Sequence, residues 1–421
     1  MISLLRQRNF SLLWIAGLVS YAGNWMLFIA LPIYVYQLTG STVAIGTTFI
    51  VGTLPRLLLG TVAGVFADRW DRRTTIMIAN VLMGLGVLPL MLVHSTDTLW
   101  IVYVVLLFNA TIGTVMGPAE NALLPTLVSE EHLVTANSMN ALNDSLARLV
   151  GPPLGGAIAG LLGIMGVAVG DASTFFFAAA MVALIRVDAR PKKEAGKEEV
   201  RVEGIWARFW TDWLNGLKVV KRSRPLSIIF GFTAITQIGE GVLSVMMAVF
   251  VAQIFGGGPE ELGLLFGAQA IGGMIGSFFV GNVAKKVDPT RLLGLSAIVF
   301  GFLDLVLVNY PAFYPSIIPA YVLIAVVGIP VVGLITSLYT LMQTGAPDEY
   351  RGRVFGAWGT TATLASLVGM LIATTFGDAL GPVVLLNLQG GGYMLAGLMA
   401  LVLLAGMRRV VKRGAETVSE T

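Results

Sequence analysis

Apolar stretches approaching or reaching about twenty residues, enough to cross a roughly 30 Å hydrocarbon core, recur along this chain between short polar clusters. Residues 101–116 and 393–407 are examples. Runs of this length in lipid must be helices, because hydrocarbon cannot satisfy free backbone groups. Cutting at loops and charge clusters predicts twelve transmembrane helices. The first six lie near 11–37, 43–67, 75–94, 99–122, 138–162 and 166–186. The second six lie near 226–254, 261–283, 290–309, 314–342, 354–377 and 384–407. The expected fold is all-α and integral to the membrane, with domains at 1–186 and 226–421 and a short cytoplasmic tail.

The one long hydrophilic segment, 187–225, contains Pro191-Lys-Lys-Glu-Ala-Gly-Lys-Glu-Glu and reads as a cytoplasmic linker. Within it Trp206, Phe209, Trp210 and Trp213, with Arg208 and Lys218, fit an amphipathic helix on the membrane surface. A solvated linker helix ending in a basic run fits the same residues. The start of the chain, basic and then apolar, is similar to a signal peptide. Its apolar run continues to Tyr36, too long for a signal, so it reads as the first span.

Polar positions repeat as well. Gly64-Val-Phe-Ala-Asp-Arg-Trp-Asp-Arg-Arg follows the second span, and Gly281-Asn-Val-Ala-Lys-Lys-Val-Asp-Pro-Thr-Arg follows the eighth, 217 positions later. Ser129-Glu-Glu-His before the fifth span has a counterpart in Pro347-Asp-Glu-Tyr before the eleventh, 218 positions later. An offset of half the chain means two parallel copies of a six-helix unit, an arrangement that places substrate near mid-membrane.

Composition agrees. Of 421 residues 56% are hydrophobic and 12% charged, against about a quarter charged in a soluble domain. With twelve spans, one face collects Arg6, Arg8, Arg69, Arg72, Arg73, the linker, Lys285, Lys286, Arg291, Arg351, Arg353, Arg408, Arg409, Lys412 and Arg413. The other face has no Lys or Arg, so both termini are expected in the cytoplasm. A net charge of +3 suggests no nucleic-acid partner. There is no cysteine, and His94 and His132 are the only histidines, which leaves little material for a metal centre. No catalytic cysteine, histidine cluster or nucleotide-binding loop is present, which disfavours an enzyme and removes in-chain ATP hydrolysis as an energy source. Every outer loop is too short for a receptor domain. No cofactor or metal is expected, and the expected functional unit is a monomer among membrane lipids.

The loop after the second span resembles motif A of the major facilitator superfamily at Gly64, Ala67, Asp68, Arg69, Arg72 and Arg73, with Asp71 where a glycine is usual. The resemblance implies a cytoplasmic latch in which Asp68 meets the start of the eleventh helix; a basic loop that merely sets topology is the simpler reading. Gly151-Pro152-Pro-Leu-Gly155-Gly156 is similar to motif C, the antiporter signature, with Ala147 in place of an earlier glycine. Ordinary small-residue helix packing explains the same run. Ala136-Asn-Ser-Met-Asn, Arg148 ahead of Gly151-Pro, Leu54-Pro-Arg56 and Gly170-Asp171 resemble the drug:proton antiporter-like branch that holds macrolide-efflux proteins and the enterobactin exporter. That branch implies a proton-coupled exporter of amphipathic small molecules such as drugs or siderophores, working by alternating access. An importer or lipid flippase of the same fold is the alternative.

Ionisable groups inside spans each need a reason, at about 2.5–3.5 kcal/mol apiece. Arg56 lies twelve residues before Asp68, about 18 Å deep at 1.5 Å per residue. Arg148 lies at similar depth, four residues after Asp144, so the two share a helix face. These three serve either as a structural ion pair or as cavity charges. Glu240, in Gln237-Ile-Gly-Glu-Gly, sits in mid-span with no basic residue in its own predicted helix, 226–254. Asn24 is its counterpart 216 positions earlier. Glu240 is the first candidate for proton coupling and Asp144 the second. A buried glutamic acid satisfied by a neighbouring helix is the plain reading. Glu120, Asp171, Asp304 and Asp378 read as structural. The candidate cavity residues are Asn24, Tyr21, Trp25, Arg56, Arg148, Gln237, Met246 and Tyr339, with Met247 and Phe250 beside them.

Overall fold

A computed structural model describes residues 2–67, 70–187, 205–284 and 286–419, with side chains in these ranges apart from 2–3, 61–67, 205–209, 212 and 405–419. Among the described residues every regular element is a helix. After a short turn at Ile2–Leu5 come α1 (Arg8–Thr39), α2 (Thr42–Ala67), α3 (Arg72–Val87) and α4 (Trp100–Leu127). The stretch Leu133–Ala183 breaks at Gly163, where φ is 65° and ψ −165°, into α5 (133–162) and α6 (164–183). After the linker helix Ile205–Arg222 come α7 (Arg224–Phe255), α8 (Pro259–Val283), α9 (Pro289–Asn309) and α10 (Ile318–Gly345). Arg351–Ser419 breaks at Gly381, φ 74° and ψ 166°, into α11 (351–380) and α12 (382–419). A left-handed φ without a Cβ penalty is what glycine permits. Ten helical stretches among the described residues are long and apolar enough to span a membrane, and the two glycine breaks turn them into twelve runs.

Local signals explain several boundaries. Asp71 caps α3, accepting from the Thr74 N–H at 2.8 Å. Asp288, 217 positions later, caps α9 through the Thr290 N–H at 2.8 Å. The residue that replaces the usual motif A glycine thus has a capping role, a carboxylate at a helix start. Gly40 closes α1 in the left-handed region, its N–H bonded to the Tyr36 carbonyl.

The chain forms two compact units. One comprises Met1–Trp206 with Gly256–Gly267, the other Ala207–Phe255 with Ala268–Thr421. The core of the first unit gathers Phe10, Leu13, Ile76, Leu123, Met139 and Val182. That of the second gathers Phe232, Leu293, Phe300, Val327 and Tyr393.

The linker helix lies against its own unit. Val220 packs with Leu226, Met342, Val354 and Ala357, and Trp213 and Leu217 join them. Gly216 sits on the start of α11, where a Cβ would lie 2.6 Å from that of Ala357. The Trp213 indole N–H donates to the Thr361 hydroxyl at 3.4 Å. Trp213, Leu217 and Val220 thus meet protein, while Trp210 and Leu214 are exposed.

Candidate functional site

Helix α1 presents two different faces. On one, Gly23 lies against the Asp171 and Thr174 side chains of α6, and the α5 glycines Gly151 and Gly155 close on the backbone at Ala22 and Met26. On the other, Tyr21, Asn24, Phe28 and Leu31 recur at helical spacing along a cavity of about 470 Å³. Helix α4 supplies a second stripe, Asn109, Gly113, Met116, Gly117 and Glu120. Helix α2 adds Thr48, Phe49, Gly52 and Thr53, and α3 adds Met83. Small residues create the room: a Cβ on Gly52 or Gly117 would meet nothing within 4 Å.

The cavity wall is mostly aliphatic and aromatic, with a few polar groups. Glu120 is the one carboxyl among the lining residues, and the Tyr21 hydroxyl donates to its Oε2 at 2.6 Å. Such charge-assisted bonds are the stronger kind and hold a side chain in one orientation. Phe28 and Phe49 meet edge to face at 5.6 Å on the same wall.

Of the cavity residues expected from sequence, Tyr21 and Asn24 line this cavity, and Trp25 packs edge to face on its wall residue Phe28 at 5.1 Å. The Trp25 ring carries the Arg148 guanidinium 4.8 Å above its centroid. Arg148 also meets Asp144 at 3.6 Å, with side chains 47% and 59% exposed. Arg56 is exposed on α2. Gln237 is half-buried, and Met246, Met247 and Phe250 are core residues of α7. Tyr339 stacks on Phe355 at 6.1 Å and meets Trp358 edge-on. Glu120 reads from sequence as structural, and the structure places it on the cavity wall. Its signal was the stripe on the fourth span, since 109, 113, 116 and 120 recur on one helix face.

Motif A is described in part. Asp68 and Arg69 lie outside the described residues, and Gly64 is within α2. Arg73 donates to the Val182 carbonyl at 3.2 Å and to that of Ala183 at 2.5 Å, capping the end of α6. Arg72 is half-buried beside it in the first turn of α3. In the motif C run Gly151 and Gly155 face α1, while Gly156 faces the start of α8 at Pro259 and Glu260. The Pro152 carbonyl lies against Gly263 of α8, where a Cβ would be 2.4 Å from its oxygen. Its glycines therefore serve close helix packing on two sides.

Glu240, in the second unit, accepts from the Tyr393 hydroxyl of α12 at 2.5 Å. Asp304 of α9 is buried within electrostatic range of both.

The family model described as Major Facilitator Superfamily matches residues 13–370 and 229–420. The chain belongs to the Major Facilitator Superfamily. Its relatives in this superfamily include the multidrug efflux pump Tap of Mycolicibacterium fortuitum, 28% identical over 87% of this chain and 88% of that protein. The enterobactin exporter EntS of Citrobacter koseri is 25% identical over 95% and 92%. Macrolide efflux protein A of Streptococcus pyogenes is 24% identical over 89% and 90%. A solved structure of a bacterial homologue of the iron transporter ferroportin, in its inward-facing state, has a TM-score of 0.71 at 15% identity. It covers 94% of this chain and 98% of its own, a likeness of fold. Family and fold are those of multi-pass membrane transporters.

Proposed function

We propose that this superfamily member is a proton-coupled exporter of amphipathic, cationic small molecules in the cytoplasmic membrane, working by alternating access. The observation that carries the reading is Glu120, bonded to Tyr21 in an apolar and aromatic cavity of about 470 Å³. An apolar pocket with few oriented polar groups suits a drug-sized ligand. Phe28 and Phe49 offer ring faces to a cation, and Glu120 offers the opposite charge.

A carboxyl that holds either a proton or a cationic substrate gives exchange by simple competition. One proton exchanged for one monovalent cation moves no net charge, so the pH difference supplies the drive, about a tenfold gradient per pH unit. Efflux relatives and the motif C run support export over import. The distribution of Lys and Arg supports cytoplasmic termini and a cytoplasmic linker. A single cysteine introduced at position 197 should resist an impermeant reagent added outside intact cells.

The deciding experiment measures export of a lipophilic cation against its gradient from proteoliposomes after a pH jump. Glu120→Gln keeps the side-chain shape and should abolish uphill export while the protein remains inserted. Undiminished pH-driven export by Glu120→Gln would remove Glu120 from the mechanism and with it this reading of the cavity.

A further inference from the structure

We propose that Glu240, Asp304, Gln389 and Tyr393 form a second proton-binding site, inside the C-terminal unit, where one proton is shared between two carboxyl groups. The ligand is a proton and the donors come from three helices. Glu240 stands at the middle of α7, Asp304 on α9, and Gln389 with Tyr393 one turn apart on α12. The Tyr393 hydroxyl donates to Glu240 Oε1 at 2.5 Å. Phe300, one turn before Asp304, packs on the Tyr393 ring at 4.3 Å.

Gln389 is the independent observation. It is 2% exposed, and neither its Oε1 nor its Nε2 has a hydrogen-bond partner among the described residues. Its side chain lies on Gly239, the residue before Glu240, where a Cβ would be 2.9 Å from Gln389 Cγ. Asp304 is 4% exposed, and its Oδ2 is also without a hydrogen-bond partner among the described residues. Orphaned buried polar groups of this kind are rare and ask for a missing ligand. Two bare carboxylates in a low-dielectric interior repel strongly, and one proton between them removes that repulsion. The same proton is a donor, which the unpartnered oxygens of Asp304 and Gln389 lack.

Among the described side chains, the other titratable groups on helices packed around α7 lie toward helix ends or pack elsewhere, Tyr310 following the end of α9. Arg351 and Arg353 begin α11 and Asp378 is near its end; Tyr339 packs on α11 aromatics; Tyr321 and Arg291 are near the starts of α10 and α9. Nor is the cluster a by-product of the repeat. At the corresponding positions of the first unit, 216 to 218 residues earlier, stand Asn24, Val87, Asp171 and Phe175.

With Glu120 as one site, a second site gives two protons per substrate, so the proposal rests on the proton-coupled reading for its transport consequence but not for proton binding itself. Proton binding is read first, on substrate-free full-length protein, by infrared difference spectra of the carboxyl C=O stretch across a pH step. The background is Glu120→Gln with Asp171→Asn, which leaves the cluster as the buried pair under observation. A pH-dependent carboxyl band is expected there and should vanish in Glu240→Gln and in Asp304→Asn. Absence of that band in the background protein overturns the site even if a cluster variant fails to insert. A band change produced by sodium at constant pH also overturns it, in favour of a metal cation. Transport is read second, with wild-type Glu120 and Asp171. At a pH difference of one unit and no voltage, two protons sustain about a hundred-fold gradient and one proton about ten-fold. Asp304→Asn should therefore lower the limiting gradient about tenfold, and an unchanged limit counts against the site. Failure of pH coupling in the wild type would sink the exporter reading alone, because the infrared band is independent of it.

Discussion

The two halves of the repeat share their packing but not their chemistry. Gly23 meets Asp171 in one and Gly239 meets Gln389 in the other, each pair 216 to 218 positions from its counterpart. Gly151 closes on the Ala22 carbonyl, and Gly369 closes on that of Ile238. The caps Asp71 and Asp288 and the breaks Gly163 and Gly381 follow the same offset. The polar pairs do not. Tyr21 with Glu120 has Gln237 and Ser337 as counterparts, and Glu240 with Tyr393 has Asn24 and Phe175. Steric positions are constrained alike in both copies, because a Cβ has nowhere to go at either. Polar pairs inside membrane helices are costly. Each unit carries one such pair, at positions where the other unit has no equivalent pair.

The packing half of this comparison breaks most severely. Gly369→Leu and Gly151→Leu should each prevent assembly or cost about 3 kcal/mol or more, since overpacking alone costs about 1–3 kcal/mol and here the obstacle is backbone. Thermal unfolding in detergent checks both, with Gly391→Ala as the control, because its Cβ would meet nothing within 4 Å. Equal losses at 151 and 369 would confirm that the repeat is enforced sterically, and a tolerant position would break the equivalence.

The chemical half is sharpened by Tyr21→Phe. It strips Glu120 of its donor, at about 1.5–3 kcal/mol for a bond to a charged group. Affinity for a lipophilic cation should shift by about tenfold or more in a binding titration. Gln237→Leu, at the counterpart position of the other unit, should leave that affinity unchanged.

Gly216→Leu tests whether the linker helix belongs to the second unit. Its side chain would enter the space of Ala357 and the Arg353 carbonyl. A loss of about 1–3 kcal/mol is expected, together with faster proteolysis in the linker. Stability unchanged from wild type would mean that the helix is not docked there.

The smallest effect belongs to Asp144 and Arg148. Sequence reasoning suggests a pair in low dielectric whose disruption strands a charge. The side chains are about half exposed, at 59% and 47%, and 3.6 Å apart. A double-mutant cycle should give a coupling of about 1 kcal/mol or less. Arg148→Lys should cost a further about 0.5–1 kcal/mol by losing its place over Trp25.

Much of the fold was legible along the chain. Length and apolarity of each run, the half-chain offset and the sidedness of Lys and Arg are properties of the primary structure. They yield twelve spans in two copies because a bilayer leaves helices as the available form. The glycines of motif C were legible as packing residues for the same reason: a missing Cβ is visible in sequence.

The site was legible only in part. Asn24 and Tyr21 read from sequence as cavity residues and line the cavity, whereas Glu120, which also lines it, reads from sequence as structural. A helix of about 3.6 residues per turn offers several faces, and its own sequence does not say which one meets a cavity. That choice is made by the neighbours. Gly23, Gly151 and Gly155 hold one face of α1 against α5 and α6, and only then does the opposite face, with Tyr21, come within a hydrogen bond of a carboxyl 99 residues away. Sequence by itself set the spans, the repeat and the charges each helix carries into the membrane. The rotation of each helix, and so which of those charges meet, was decided by packing, because close contact between helices fixes their azimuth while hydrophobicity does not.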